Sequence, residues 1–565
     1  MTSPAPTPAE SAVLAASDVE ICLRVLARAS AADPGDPRWA SVHEAAAQVY
    51  RAAKKSRKAA RLAARRHHDR EAAATAERHR HQNPAPAPPS ADPALTSPSA
   101  APALTAPSAD PASAPALTAP SADPVTGRGR AEPGTARASA PPASGPVTDR
   151  AHPGPVLIGV RRCYVCKAAY RRVDPRYHLL CGACAEENLA RRHARADLRG
   201  RRAVVTGGRV KIGFHVALKL LRDGAEVLVT TRFPRDAARR FAGAPDCADW
   251  LDRLHVHGVD LLDLAGVAGL LTSVRERFDH LDILVNNAAQ TIRRPAAYHR
   301  EVRAAEDAPL TGPAARIRLT DAPRPSPPAL TAALSPLAPA AGEPPFPAGR
   351  TYETAFPTPG GTEETAFPAA DGTGETAFLA ADSADEAVFF PAGRTDETGE
   401  PLDLRGRNSW SVRLHEVDAA EWMEVQMVNA FAPFLLTSRL RGLLESAPRP
   451  DRYVVQVSAM EGSFSRRNKT VRHPHTNMAK ASLNMLTRTA AADYAASGIH
   501  MNSVDTGWVT DERPHPDRMA HRAAGFRPPL DVIDGAARVY DPIVRGVAGE
   551  PMSGLFLKDY RPVEW

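Results

Sequence analysis

Apolar residues in this chain recur with two periods. From Ala203 to Arg232 the sequence AVVTGGRVKIGFHVALKLLRDGAEVLVTTR opens with a β-branched run and breaks at Thr206-Gly207-Gly208. It then takes up helical spacing at Ile212, Val216, Leu220 and Leu221, and turns at Asp223-Gly224 into a second apolar run. That order predicts strand, glycine turn, helix and strand. Further short apolar runs predict strands over 254–259, 281–285, 453–457 and 499–504. Helical spacing lies between them, up to about Trp250, again from near Trp410 through Glu421 and Asn429 to Leu436, and from near Asn477. Strands alternating with helices predict an α/β fold with a doubly wound parallel sheet. Upstream, 1–82 reads as helical. Ser17 and Glu20 form a capping box ahead of Val19, Cys22, Leu23 and Leu26, and a second helix is expected from about Arg38.

Two stretches carry neither period. Residues 83–152 are rich in Pro, Ala and Ser, with PALTAPSADP at 102 and again at 115, a composition that cannot bury enough apolar surface to order itself. We expect a disordered linker there. Residues 304–404 hold Glu-Thr-Ala-Phe at 353, 364 and 375 and Glu386-Ala-Val-Phe, spaced by eleven, and 351–400 contain eleven acids and one arginine. Glycine and proline within each repeat argue against a helix, and an acidic low-complexity insertion is expected, overhanging the carboxyl edge of the sheet.

Charge and cysteine content narrow the picture. The net charge of +7 permits an anionic partner without requiring one. Residues 51–80 carry eleven Lys or Arg against three acids, yet the only aromatic beside them is Tyr50, immediately before the stretch. A solvated helical face is favoured there, and nucleic acid is not the expected partner. No run of eighteen apolar residues exists, so no membrane span is expected and the chain reads as cytoplasmic. Cys163, Cys166, Cys181 and Cys184 are spaced C-x2-C-x14-C-x2-C, which places four thiolates about one tetrahedral ion. Four sulfur ligands leave no open position, so a structural zinc module over 153–197 is expected.

The glycine turn carries candidate chemistry. A turn followed by a helix N-terminus presents backbone N–H groups to a pyrophosphate. Thr206, Gly207 and Gly213 fit T-G-x-x-x-G-x-G, with Lys211 at the middle glycine; Asp260-Leu261 follows the third strand and Asn286-Asn287-Ala288-Ala289 the fourth. In this order the landmarks resemble the short-chain dehydrogenase/reductase family over about 200–303 and 405–565. The resemblance implies a Rossmann-like domain in two parts, 198–303 and 405–565. It also implies coenzyme contacts at Thr206, Gly207, Arg209, Ile212, Gly213, Arg232, Asp260, Leu261, Asn287, Ala288, Lys480 and Val509. In the family a tyrosine handles the proton, a lysine four residues on lowers its pKa and holds the nicotinamide ribose, a serine orients the substrate oxygen and an asparagine completes the relay. Lys480 and Asn429 match; the tyrosine position is Thr476 and the serine position Ala459, beside Ser458.

A threonine hydroxyl lacks the acidity of a phenol, whose pKa is about 10. His475 or His473 is then a candidate acid/base, with Ser458 a substitute for the serine. The second strand ends at Thr230-Thr231-Arg232 where NAD-binding members carry an acid. Arg232, together with Arg209, suits a 2′-phosphate, which favours NADP(H) over NAD(H). Arg466, Arg467, Lys469 and Arg472 suit an anionic small-molecule substrate. The expected function is an NADP(H)-preferring oxidoreductase acting at a carbonyl, hydroxyl or related centre, as a homodimer or tetramer by resemblance. The alternative is a catalytically altered NADP(H)-binding protein acting as sensor or interaction module.

Overall fold

The computed structural model describes residues 16–33, 35–77, 154–321, 388–396, 398–466 and 469–565. The expected linker, Arg467 and the Glu-Thr-Ala-Phe repeats at 353–378 lie outside the described residues. Two helices come first, α1 (Ala16–Ala31) and α2 (Ala40–Ala74). Ser17 sits inside α1 rather than capping it. A 3-10 turn at Pro37–Trp39, capped by Asp36, delays α2 by two residues from the expected start. Next comes a hairpin of β1 (Val156–Arg162) and β2 (Ala169–Arg172) followed by α3 (Gly182–His193).

The main sheet begins with β3 (Arg202–Val205), α4 (Lys211–Arg222), β4 (Glu226–Thr231), α5 (Pro234–Ala242), β5 (Leu254–Gly258), α6 (Leu264–Arg277) and β6 (Ile283–Asn286). Beyond it lie α7 (Arg300–Glu306) and β7 (Arg318–Asp321), then α8 (Ala419–Gln426), a π-turn at Met427–Phe431, α9 (Ala432–Arg439) and α10 (Arg441–Glu445). The chain closes with β8 (Arg452–Ser458), α11 (Pro474–Ala496), β9 (Ile499–Asp505), α12 (His515–Ala523), α13 (Val532–Val547), β10 (Phe556–Lys558) and β11 (Arg561–Val563).

The nine strands lie in the order β11-β10-β9-β8-β6-β3-β4-β5-β7. Neighbours are parallel throughout except for β10 with β11. Strand β8 is buried at every residue, as expected of a strand covered on both faces. One apolar layer joins β3–β5 to α4, α5 and α13, and the other joins the opposite face to α6, α9 and α11. Asp263 caps α6, and Asp531 with Asp534 closes a capping box at α13. The order reverses between β3 and β6, and ligands of open α/β sheets sit above that switch point.

The expected boundaries of the insertion need correcting. Strand β7 pairs with β5 along His255 to Gly258 and extends the sheet edge, so 304–321 belongs to the domain. On the other side, Phe390 and Leu402 are buried. The alanine-rich composition of 304–321 hid a four-residue edge strand.

Helix α3 and the hairpin form a small module around Leu157, Tyr170, Val173, Tyr177 and Leu180, and Leu530 of the large domain lies within that cluster. Asp534 is the hub of the junction. One carboxylate oxygen accepts from Tyr177 Oη at 2.9 Å, Asn188 Nδ2 at 3.1 Å and Arg192 at 2.8 Å. Arg191 to Asp541 and Arg561 to Glu187 add ion pairs on either side. Helix α2 reaches the module through Asp69, whose carboxylate accepts the Ile158 and Gly159 N–H groups at 2.8 and 3.1 Å. The basic residues of α2 are largely exposed, as expected, and α1 leaves Ile21 and Leu23 more than half exposed.

Candidate functional site

The turns after β3 and β6 are tied into one crest. Thr206 Oγ1 accepts the N–H groups of Asn287 and Ala288, both at 3.0 Å. Asn287 Nδ2 donates to the carbonyls of Thr206 and Gly207 at 3.0 and 3.1 Å. Gly207 has φ +68°, and a Cβ there would stand 2.9 Å from Ala288 Cα. A Cβ on Gly213 would stand 2.3 Å from the Gly207 carbonyl oxygen. Both glycines are therefore demanded by close approach. Lys211, at the position of the missing glycine, holds φ +52° at the head of α4, and its ammonium lies 3.8 Å from Glu512. Ile212, one residue on, and Val509 both border Gly535, where an added Cβ would lie 3.1 Å from each side chain.

Arg232 and Arg209 differ in availability. Arg232 is exposed; its guanidinium lies over Phe233 and 3.4 Å from His299 Nε2, with no carboxylate paired to it among the described residues. Arg209 is buried and held by Asp236 at 2.6 Å and by Glu400, which also pair with Arg240. Its guanidinium is thus already engaged by carboxylates from α5 and from the return of the insertion. Burial, reinforced by Arg232, Arg209, Arg303 and Arg294, pushes the His299 pKa down to about 3. Asp260 accepts the Leu262 N–H at 3.1 Å, and Leu261 is buried beside it.

On the other side of the switch point, Lys480 of α11 is buried and its Nζ donates to the Val457 carbonyl at 2.8 Å. Burial lowers its pKa to about 8, partly opposed by Glu461. Thr476 lies one turn earlier on the same helix face. It too is buried, and its hydroxyl has no hydrogen-bond partner among the described residues. Asn429 sits in the π-turn; its Oδ1 accepts the Gln290 N–H at 2.6 Å and its Nδ2 donates to the Gln290 carbonyl at 3.0 Å.

The two substitutes point elsewhere. Ser458 Oγ donates to Asn484 Oδ1 at 2.7 Å, inside the contact of β8 with α11. His475 is fully buried with Nε2 3.4 Å from Glu421 of α8, and one residue before Thr476 it faces about 100° around the helix. His473 stacks on Trp410 with ring centroids 3.9 Å apart. The basic loop is also spent locally, Arg466 on Glu461, Lys469 on the Glu461 carbonyl and Arg472 on the Ser411 carbonyl. Glu400, Glu421, Gln290 and Glu512 were not anticipated, because each comes from a loop or helix without a local motif.

The four cysteines converge. Cys163 and Cys166 come from the turn between β1 and β2, Cys181 caps α3 and Cys184 lies in its first turn. Their sulfurs all lie within 4.8 Å of one another, Cys166 and Cys181 at 3.6 Å. Tetrahedral thiolates about 2.3 Å from zinc stand about 3.8 Å apart, so the set fits such an ion.

Residues 201–307 match the family model of short chain dehydrogenase and 406–523 that of enoyl-(acyl carrier protein) reductase. An uncharacterised protein of Acanthamoeba polyphaga mimivirus is 29% identical over 402 residues, spanning 68% of this chain and 71% of that protein. A probable oxidoreductase of Streptomyces lividans is 41% identical over 92 residues, 16% of this chain and 29% of that protein. A rhamnolipids biosynthesis 3-oxoacyl-[acyl-carrier-protein] reductase of Pseudomonas aeruginosa is 38% identical over 102 residues, 17% and 36% respectively. The chain thus spans about a third of the length of these two oxidoreductases. Among solved structures, NADPH-bound carbonyl reductase from chicken fatty liver aligns with TM-score 0.37 and 17% identity over 65% of this chain and 100% of that one. No helix among the described residues is long and apolar enough to cross a membrane. With the glycine turn, the Asn-Asn-Ala turn, Asn429 and Lys480 set in order along one doubly wound sheet, residues 201–307 and 406–523 form a domain of short-chain dehydrogenase/reductase type.

Proposed function

We propose that the chain binds NADP(H) across the crest and transfers hydride to or from a carbonyl, hydroxyl or related centre of a small molecule. The observation that carries this reading is Lys480: a buried amine, held by the Val457 carbonyl, one turn from a hydroxyl with no hydrogen-bond partner among the described residues. A buried amine of pKa about 8 is well matched to proton transfer near neutrality. Lys480 is the one titratable group among Thr476, Lys480 and Asn429, and we assign it the proton; Thr476 orients the substrate oxygen and Asn429 holds the Gln290 backbone beside it. Arg232 receives the 2′-phosphate, with Thr206, Gly207, Ile212, Gly213, Asp260, Leu261, Asn287, Ala288 and Val509 framing the rest; Arg209 braces the loop through its carboxylates. The 3-oxoacyl reductase among the relatives acts by name on a carbonyl, which supports that substrate class. Cys163, Cys166, Cys181 and Cys184 hold a structural zinc. Trp422, Met423, Phe434, Met478 and Met485 stand exposed on α8, α9 and α11, which supports self-association through those helices.

Calorimetry tests the coenzyme: NADPH binds more tightly than NADH, and Arg232→Ala removes most of the difference. Equal affinities in the parent protein would refute the 2′-phosphate assignment. NADPH oxidation over a carbonyl panel tests turnover. The nucleotide-binding but non-catalytic reading is favoured by one observation, that Ser458 is turned to Asn484. Tight NADPH binding without turnover of any carbonyl would select it.

A further inference from the structure

Two loops border the Lys480 side of the crest, Met460–Gly462 after β8 and 506–510 after β9. One side chain of the cysteine module touches the second directly and is linked to the first through Lys558 and Asp505. Tyr164 lies between Cys163 and Cys166, and its hydroxyl accepts the Trp508 N–H at 2.9 Å. The same oxygen lies 3.6 Å from where a Gly507 Cβ would be, an ordinary contact, so it stands directly against that loop. Lys558 Nζ lies 5.9 Å from the Tyr164 ring centroid and binds Asp505 Oδ2 at 2.5 Å, while Asp505 Oδ1 accepts the Met460 N–H at 3.1 Å. Tyr164 is itself fixed by the turn that carries two of the thiolates. Its N–H donates to the Leu179 carbonyl at 2.8 Å, and Lys167 N–H closes the turn on the Cys163 carbonyl at 3.1 Å. Val509 packs on the module's apolar cluster.

The strand order says what this loop receives. Arg232 follows β4 and the glycine turn follows β3, so a coenzyme with its phosphates there extends its other end over β6 and β8, beside Lys480 and toward the loop after β9. We propose that Tyr164 is a positioning residue for the nicotinamide end of the coenzyme. The cysteine-bound turn presents its hydroxyl as the acceptor that holds the Trp508 backbone, and so shapes 506–510 around that ring. This assignment rests on the coenzyme reading above. It differs from simple docking, because the Asp534 hub joins the two parts through Tyr177, Asn188 and Arg192, none of which belongs to the loop.

The test uses full-length protein, comparing Tyr164→Phe, which keeps the ring and loses the hydroxyl, with Tyr177→Phe, which loses a hydroxyl at the hub. Affinities are measured calorimetrically for NADPH and for 2′,5′-ADP, which bears the adenine-side phosphate and no nicotinamide. Tyr164→Phe is expected to weaken NADPH about three- to ten-fold, the worth of one hydrogen bond, and to leave 2′,5′-ADP unchanged. The Trp508 amide should exchange faster with solvent in that variant. Tyr177→Phe should lower the melting temperature without separating the two ligands. Unchanged NADPH affinity in Tyr164→Phe, or equal weakening of both ligands, overturns the assignment. A parent protein that binds neither ligand overturns the coenzyme reading and the nicotinamide role with it; unchanged Trp508 exchange overturns the Tyr164 contact itself.

Discussion

The two halves of the crest were built under different constraints. Over β3 and β6, backbone packs closely on backbone and is tied by short side chains, and the residues that matter are Gly207, Gly213, Thr206 and Asn287. Over β8 and α11 the contacts are made by side chains, and there the family's tyrosine and serine are gone while Lys480 and Asn429 stay. Backbone geometry tolerates almost no substitution, because an added Cβ meets an atom that cannot move. A side-chain relay can lose members and keep its frame.

The largest expected effect falls outside both halves. Cys181→Ser, or extraction of the metal by a strong chelator, should unfold the module around Tyr170 and Tyr177, since binding energy at such sites is folding energy, on the order of 10 kcal/mol. Metal analysis and the loss of one thermal transition check this; a module that stays folded without metal would show that its apolar cluster suffices. Next is Gly213→Ala, whose Cβ would press on the Gly207 carbonyl at 2.3 Å. We expect a cost of about 3 kcal/mol and loss of nucleotide binding, read by thermal melting and calorimetry. Ala459→Ser, at the serine position of the other half, should change stability by less than about 0.5 kcal/mol if that half is as tolerant as the comparison says.

Lys480 separates stability from chemistry. Its folded pKa of about 8 lies below the ordinary lysine value of 10.5, so burial of the charged form costs stability in full below pH 8. The cost is relieved as pH rises from about 8 to 10.5, where the unfolded chain keeps a proton that the fold has shed. Lys480→Met should therefore raise the melting temperature at pH 7 and flatten its rise above pH 8, while abolishing NADPH oxidation. Carbonyl reduction by the parent should fall above about pH 8, as the amine loses the proton it donates. His299, at about 3, has the same sign in a lower window: stability is lost as pH falls from 6.5 toward 3, because only the unfolded ring gains a proton.

Legibility followed the same division. The strand and helix order, the glycine turn and the cysteine cluster could be read locally, since each rests on residues within about twenty positions of one another. Strand β7 could not, because four residues at a sheet edge carry too little pattern. Nor could the partners of Arg209. A guanidinium in the glycine loop suggested a phosphate, and only the fold brings Asp236 and Glu400 to it from 27 and 191 residues away. Ser458 and His475 show the converse. Each stands beside a family position in sequence, and one step along a strand or helix turns a side chain to a different neighbour.

Another small effect returns to the one place where the backbone half breaks its own rule. Lys211 occupies the left-handed region at φ +52°, which costs a side chain roughly 1 kcal/mol and costs glycine nothing. Its ammonium, half-buried and 3.8 Å from Glu512, returns little of that in a partly solvated pair. Lys211→Gly should therefore be neutral to slightly stabilising, by up to about 1 kcal/mol, the opposite of a glycine placed elsewhere in a first helical turn. Lys211→Ala keeps the strain and loses the pair, so it should be the less stable of the two variants, and denaturant midpoints for the three proteins decide it. If Lys211→Gly proves clearly destabilising, the Glu512 contact outweighs backbone strain. The glycine turn would then owe its shape to a side chain, as the Lys480 half does.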